Sequence, residues 1–244
     1  MRAMMILWLC ALCLGGLWAK EQKFEVPRQY SVVLNLPEQP GAYPCVVLCP
    51  GRGYHKDLPL MKQSAELLAQ AGFIAIRFDW SFFINNTAPS EDFGAERADI
   101  LRALDIAKTN ATIDTARIYL VGKSLGSVVA YWEFNANPIF KGIVLQTPII
   151  PNLESAESYY PGLKNETRPI SFVLGDEDIH NCTLSTLYKY ISVAEKPIPV
   201  SVLSGGHGFQ KGEEPLSDQL KQQNQDSLDM AIKSTVFWLK AMDQ

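Results

Sequence analysis

The chain has 244 residues and a mass of 27.2 kDa, enough for one large α/β domain and short for two. Its 47% hydrophobic and 20% charged residues argue against a disordered or fibrous protein. A net charge of −4 gives no general electrostatic basis for holding phosphate backbones, so no nucleic-acid partner is expected.

Residues 1–19 read as a cleaved secretory signal, with Arg2 ahead of an apolar run from Met4 to Leu14 and a cleavage site after Ala19. The run falls short of the roughly 20 apolar residues of a spanning helix. No second apolar stretch of that length follows. The mature chain, 20–244, is therefore expected to be secreted or periplasmic, without stable membrane insertion. N-x-Thr sequons at Asn85, Asn110, Asn165 and Asn181 are glycan acceptors only in a eukaryotic host.

Phe24–Val26 and Tyr30–Leu36 read as opening strands. Cys45–Cys49 is a continuous apolar strand. Its two thiols lie about 13 Å apart along it, too far for a disulfide, so buried free thiols are expected. Asp57 and Gly72 read as the caps of a helix from about Leu58 to Ala71. A strand at Phe73–Phe78 and a helix at Phe93–Lys108 follow. Next come a strand at Ile118–Val121 and a helix at Leu125–Asn135. Strands at Gly142–Gln146, Ile170–Leu174 and Val200–Leu203 precede a closing amphipathic helix at about Gln219–Met242. Apolar strands alternating with helices predict an α/β fold. We expect about eight strands in a mostly parallel sheet with helices on both faces and no large cap. The loops Ser81–Asp92 and Pro148–Pro169 should lie at strand C-terminal ends. Their aromatic residues Phe82, Phe83, Tyr159 and Tyr160 are candidates for substrate binding.

Gly122-Lys123-Ser124-Leu125-Gly126 is a Gly-x-Ser-x-Gly between strand and helix, which presents Ser124 as a nucleophile above the sheet. A phosphate-binding loop ending in Gly-Lys-Ser would need glycine where Arg117 stands. Among three histidines, His207 is the candidate base, because glycines flank it directly after the last strand. Gly175-Asp176-Glu177-Asp178 follows the preceding strand, and its Gly-x-x-Asp spacing selects Asp178 as the acid, with Asp176 the alternative. The amides of Leu125 and Arg52, the latter within Pro50-Gly51-Arg52-Gly53, are the expected oxyanion donors. Lys123 is expected to pair with a neighbouring carboxylate. Asp176, Asp178 and His180 alternate but lack a further histidine ligand, so neither metal nor cofactor is expected.

These residues together resemble the α/β-hydrolase superfamily over nearly all of the mature chain. The compact size and the elbow resemble dienelactone-hydrolase-related enzymes. Pro50-Gly51-Arg52-Gly53, Ile76-Arg77-Phe78-Asp79 and a basic residue before the nucleophile resemble the testis-expressed type of small hydrolase. The resemblance implies a triad of Ser124, Asp178 and His207 acting on a small ester or related acyl substrate. Dienelactone hydrolases carry cysteine where this chain has Ser124, so the resemblance extends to the fold and the esterase-type mechanism rather than to the lactone. The alternative is a binding or scaffold protein that keeps the fold without turnover.

Overall fold

The computed structural model describes residues 20–212 and 214–244; the expected signal, residues 1–19, lies outside them. Eight strands form one sheet in the order β1-β2-β4-β3-β5-β6-β7-β8. They are β1 (Lys20–Val26), β2 (Tyr30–Leu36), β3 (Tyr43–Cys49), β4 (Ile74–Phe78), β5 (Ile113–Lys123), β6 (Phe140–Gln146), β7 (Ile170–Gly175) and β8 (Val200–Leu203). The hairpin β1–β2 is antiparallel and β2 meets β4 antiparallel. Every pairing from β4 through to β8 is parallel.

Side chains alternate across the pleat, and the central strands feed two apolar layers. Cys45, Val47 and Cys49 of β3 enter one layer with Ile118 and Leu120 of β5. Helices α3 (Gly94–Asn110) and α4 (Leu125–Ala136) cover it. Val46 and Leu48 enter the other with Tyr119 and Val121, beneath α1 (Pro59–Gln70) and α7 (Asp218–Met242). Burial on both faces is why these strands read as unbroken apolar runs. Among the described residues Cys45, Cys49 and Cys182 are buried free thiols. Burial pushes the Cys182 thiol up to about 12.

Three short helices complete the chain: α2 (Ser81–Ile84), α5 (Leu153–Tyr159) and α6 (Leu184–Ile191), with a 3-10 turn at Leu163–Asn165. The segment after β6 thus folds into small pieces rather than a separate cap. Among the described residues no helix is long and apolar enough to cross a membrane.

The structure corrects the capping expected for α1. Its N-cap is Leu58, with no side-chain cap. Asp57 is turned away to Arg77, whose Nη1 donates to Asp57 Oδ1 at 2.5 Å. Arg77 is 1% exposed and also donates to Asn35 Oδ1, to the Lys56 carbonyl and to Glu21. A buried guanidinium needs its donors met, and that requirement outweighs a helix cap for Asp57.

Candidate active site

Ser124 stands between β5 and α4 at φ 54° and ψ −121°, a left-handed conformation costly for any residue with a Cβ. The glycines around it serve close packing. A Cβ on Gly122 would lie 2.4 Å from the Gly126 carbonyl oxygen, and one on Gly126 would lie 2.3 Å from that of Cys49. Neither position admits a side chain, so strand, elbow and helix close tightly and lift Ser124. A serine at a helix N-cap ordinarily caps it with its hydroxyl, but Ser124 makes no such bond. Its hydroxyl instead donates to His207 Nε2 at 2.7 Å.

His207 lies in the loop after β8, and its Nδ1–H donates to Asp178 Oδ2 at 2.7 Å. That tautomer follows from the acceptor-only carboxylate and leaves Nε2 free to accept. Asp178 is buried, and its second oxygen accepts from Asn181 Nδ2 at 2.9 Å. Asp176, the alternative acid, accepts from the Gly205 amide at 2.9 Å, so it braces the histidine loop from below. A Cβ on Gly175 would lie 2.1 Å from the Gly205 carbonyl oxygen, which presses the two loops together.

The loop after β3 reaches the same point. A Cβ on Gly51 would approach Ser124 Cβ to 3.2 Å. Trp80 Nε1 donates to the Pro50 carbonyl at 2.8 Å, and Asp79 accepts from both the amide and Nζ of Lys56 at 2.8 Å. These bonds fix both ends of the segment that carries Arg52, which is itself exposed. Leu125, the first residue of α4, has an amide without an intrahelical acceptor.

The aromatic candidates divide. Phe83 is 41% exposed and stacks on His55 at 6.0 Å. Tyr159 is half-buried. Phe82 is buried against Trp80. Tyr160 is fully buried; its hydroxyl accepts from the Ile149 amide and lies 2.7 Å from Ser127 Oγ. Ser127 Oγ already donates to the Ser124 carbonyl, so Tyr160 is the donor to Ser127. Phe82 and Tyr160 are thus packing residues behind the site rather than surfaces for a substrate.

Lys123 departs from expectation too. It pairs with no carboxylate among the described residues; its Nζ donates to the His207 carbonyl at 3.1 Å and to Thr147 Oγ1 at 3.3 Å. Sequence reasoning also missed Asn181, read only as a sequon, and Trp80, whose indole bond no local pattern signals. His180 does not join the triad, and among the described residues no group of three or more His, Cys, Asp or Glu side chains could hold a metal ion.

The Alpha/beta hydrolase domain family model matches residues 42–238. No curated protein sequence matches the chain. Among solved structures, the chain is similar to an alpha-beta serine hydrolase homologue from Coxiella burnetii. The TM-score is 0.66 at 15% identity, covering 88% of this chain and 96% of that one. It is similar to dienelactone hydrolase from Anabaena variabilis, with a TM-score of 0.66, 18% identity and 91% and 98% of the two chains covered. It also resembles acylaminoacyl peptidase from Pyrococcus horikoshii, with a TM-score of 0.63, 15% identity and 88% coverage of this chain. There the chain spans only 40% of the peptidase's length.

Proposed function

From a chain that belongs to the α/β-hydrolase family, we propose a serine hydrolase that cleaves a small ester or related acyl substrate through an acyl-enzyme on Ser124. The observation that carries this reading is the unbroken relay of two 2.7 Å contacts from Ser124 through His207 to Asp178.

Ser124 Oγ attacks the carbonyl carbon while His207 Nε2 takes its proton. Asp178 holds the imidazole in the required tautomer and stabilises the imidazolium without taking the proton itself. The developing oxyanion meets the Leu125 amide at the positive end of α4 and the Arg52 amide opposite. His207 then protonates the leaving alcohol, and the acyl group stays on Ser124. A water enters along the same path, gives its proton to His207 and releases the acid, restoring Ser124. The exposed Phe83 and half-buried Tyr159 are the aromatic groups available to an acyl or aryl portion.

A fluorophosphonate probe should label Ser124, and a panel of short-chain esters should then identify a substrate. Ser124→Ala and His207→Ala should each remove nearly all turnover, because the groups act as a unit. Wild-type turnover by Ser124→Ala on an ester that the native protein cleaves overturns the reading. The secreted or periplasmic location rests on residues 1–19; N-terminal sequencing from the native host that begins at Lys20 supports it, and a cytosolic protein beginning at Met1 refutes it.

A further inference from the structure

We propose that Lys123 is a positioning residue for this chemistry: its buried side chain ties the strand that carries the nucleophile to the main chain of the histidine. The inference rests on the serine-hydrolase reading. Lys123 immediately precedes Ser124, but strand alternation turns it the other way, onto the side of Tyr119 and Val121. There it runs beneath the site and ends 3.1 Å from the His207 carbonyl oxygen, 3.3 Å from Thr147 Oγ1 and 4.5 Å from the centre of the Tyr54 ring. Two acceptors and one aromatic face match the three N–H bonds of an ammonium.

The arrangement is expensive, and folding alone does not explain it. Lys123 is 1% exposed and makes no ion pair among the described residues. A buried cation so placed costs stability that an apolar side chain of the same length would not. Thr147 adds a second cost: it is β-branched yet sits at φ 37°, a conformation that β-branched residues rarely adopt. The common product of both costs is a fixed His207 carbonyl. Gly205, Gly206 and Gly208 surround that residue and give its loop backbone freedom, which the Asp176 bond limits at Gly205 and the Lys123 tie limits at His207 itself. A misplacement of about 1 Å at a reacting group can cost on the order of 100-fold in rate.

The charge on Lys123 is what strengthens the tie. The groups facing it are Tyr54 from the loop after β3, Asp178 from the loop after β7 and His207 from the loop after β8. Helices α1 and α7 supply apolar side chains such as Leu60, Met61 and Ile232 to this layer. Burial pushes the ammonium down to about 8, against the opposing pull of Asp178. Above that pH the neutral amine loses its attraction to the Tyr54 ring and to Asp178. Its bond to the His207 carbonyl also ceases to be charge-assisted, roughly halving in strength.

The test is the pH profile of the labelling rate at Ser124 with a fluorophosphonate, with thermal unfolding to verify that each variant folds. The wild-type rate should fall on an alkaline limb near pH 8. Lys123→Met should label about 10- to 100-fold more slowly near neutral pH and lack that limb. Thr147→Val, which removes a hydroxyl that accepts from the ammonium, should move the limb to lower pH. A folded Lys123→Met that labels at the wild-type rate, or a limb it shares with the wild type, overturns the inference alone. If Lys123→Met does not fold, an unmoved limb in Thr147→Val overturns it. Failure of the wild type to label at Ser124 overturns the serine-hydrolase reading and this inference with it.

Discussion

Two carboxylates two residues apart in the chain hold different posts. Asp178 is buried with one oxygen on His207 Nδ1 and the other on Asn181, whereas Asp176 is exposed and binds the Gly205 amide. Asp178→Asn should lower turnover by about 10⁴, by analogy with the serine-protease triad, because an amide stabilises the wrong imidazole tautomer. Asp176→Asn keeps an oxygen for Gly205 and should cost far less. Steady-state rates of both variants on one ester, at equal folded fraction, make the comparison; equal losses would move the acid's role away from Asp178. Ser124, His207 and Asp178 could be named from the sequence because glycines and strand ends mark their positions. Asn181 and Lys123 could not, since each acts through a partner remote in sequence. The aromatic pairs show the same limit. Phe82 and Phe83 are neighbours on one helical turn, where each residue rotates by about 100°, so one faces the core and the other solvent.

The central strands were legible because both of their faces are buried. An apolar run then identifies a strand without any alternation to assist. Boundaries failed where polarity intervened: β5 begins at Ile113, yet Asp114, Thr115 and Arg117 disguise its first half as a loop. Helix α6 escaped notice because its eight residues sit between turn-rich segments and offer only two turns of pattern. The central strand also sets what a core lesion costs. Leu120 is fully buried in β5 between β3 and β6, so Leu120→Ala should destabilise by roughly 2–5 kcal/mol. Urea unfolding would measure this through a lower midpoint at unchanged slope; a loss under about 1 kcal/mol would mean that the layer collapses to fill the gap.

Taken whole, the molecule draws its ionic stability from separate clusters, Arg77 of β4 with Asp57 and Glu21, and Arg168 with Glu166 beside the start of β6. Burial pushes the Asp57 carboxyl up, but Arg77 and Lys56 together pull it below its usual value of 3.8. Glu166 is likewise held below 4.5 by Arg168, against the opposing effect of burial. The unfolded chain therefore binds these protons more readily. The stability that these groups contribute is present above about pH 4.5 and is lost as pH falls through the folded-state values. Asp99, raised by burial, works in the opposite sense and offsets part of that loss. Arg77→Met should cost roughly 1–3 kcal/mol near neutrality, because it leaves the buried Asn35 side-chain oxygen and the Lys56 carbonyl without their donor. It should also flatten the dependence of urea midpoint on acid pH, and an unchanged acid slope would count against the network's role.

The short edge strand β8 has a consequence for the order in which the molecule fails. It spans four residues, pairs only with β7 among the described residues and is at most half-buried, yet the loop that follows it supplies His207. Ser124 rises instead from the end of β5, deep in the sheet. Local opening requires least free energy where few buried contacts must break, so the segment around 200–209 should exchange its amide hydrogens well before those of β5. Mild denaturant should then detach the base from an otherwise intact nucleophile elbow. Activity should fade while far-ultraviolet ellipticity stays native, and coincident loss of the two would show that the edge is held as firmly as the centre.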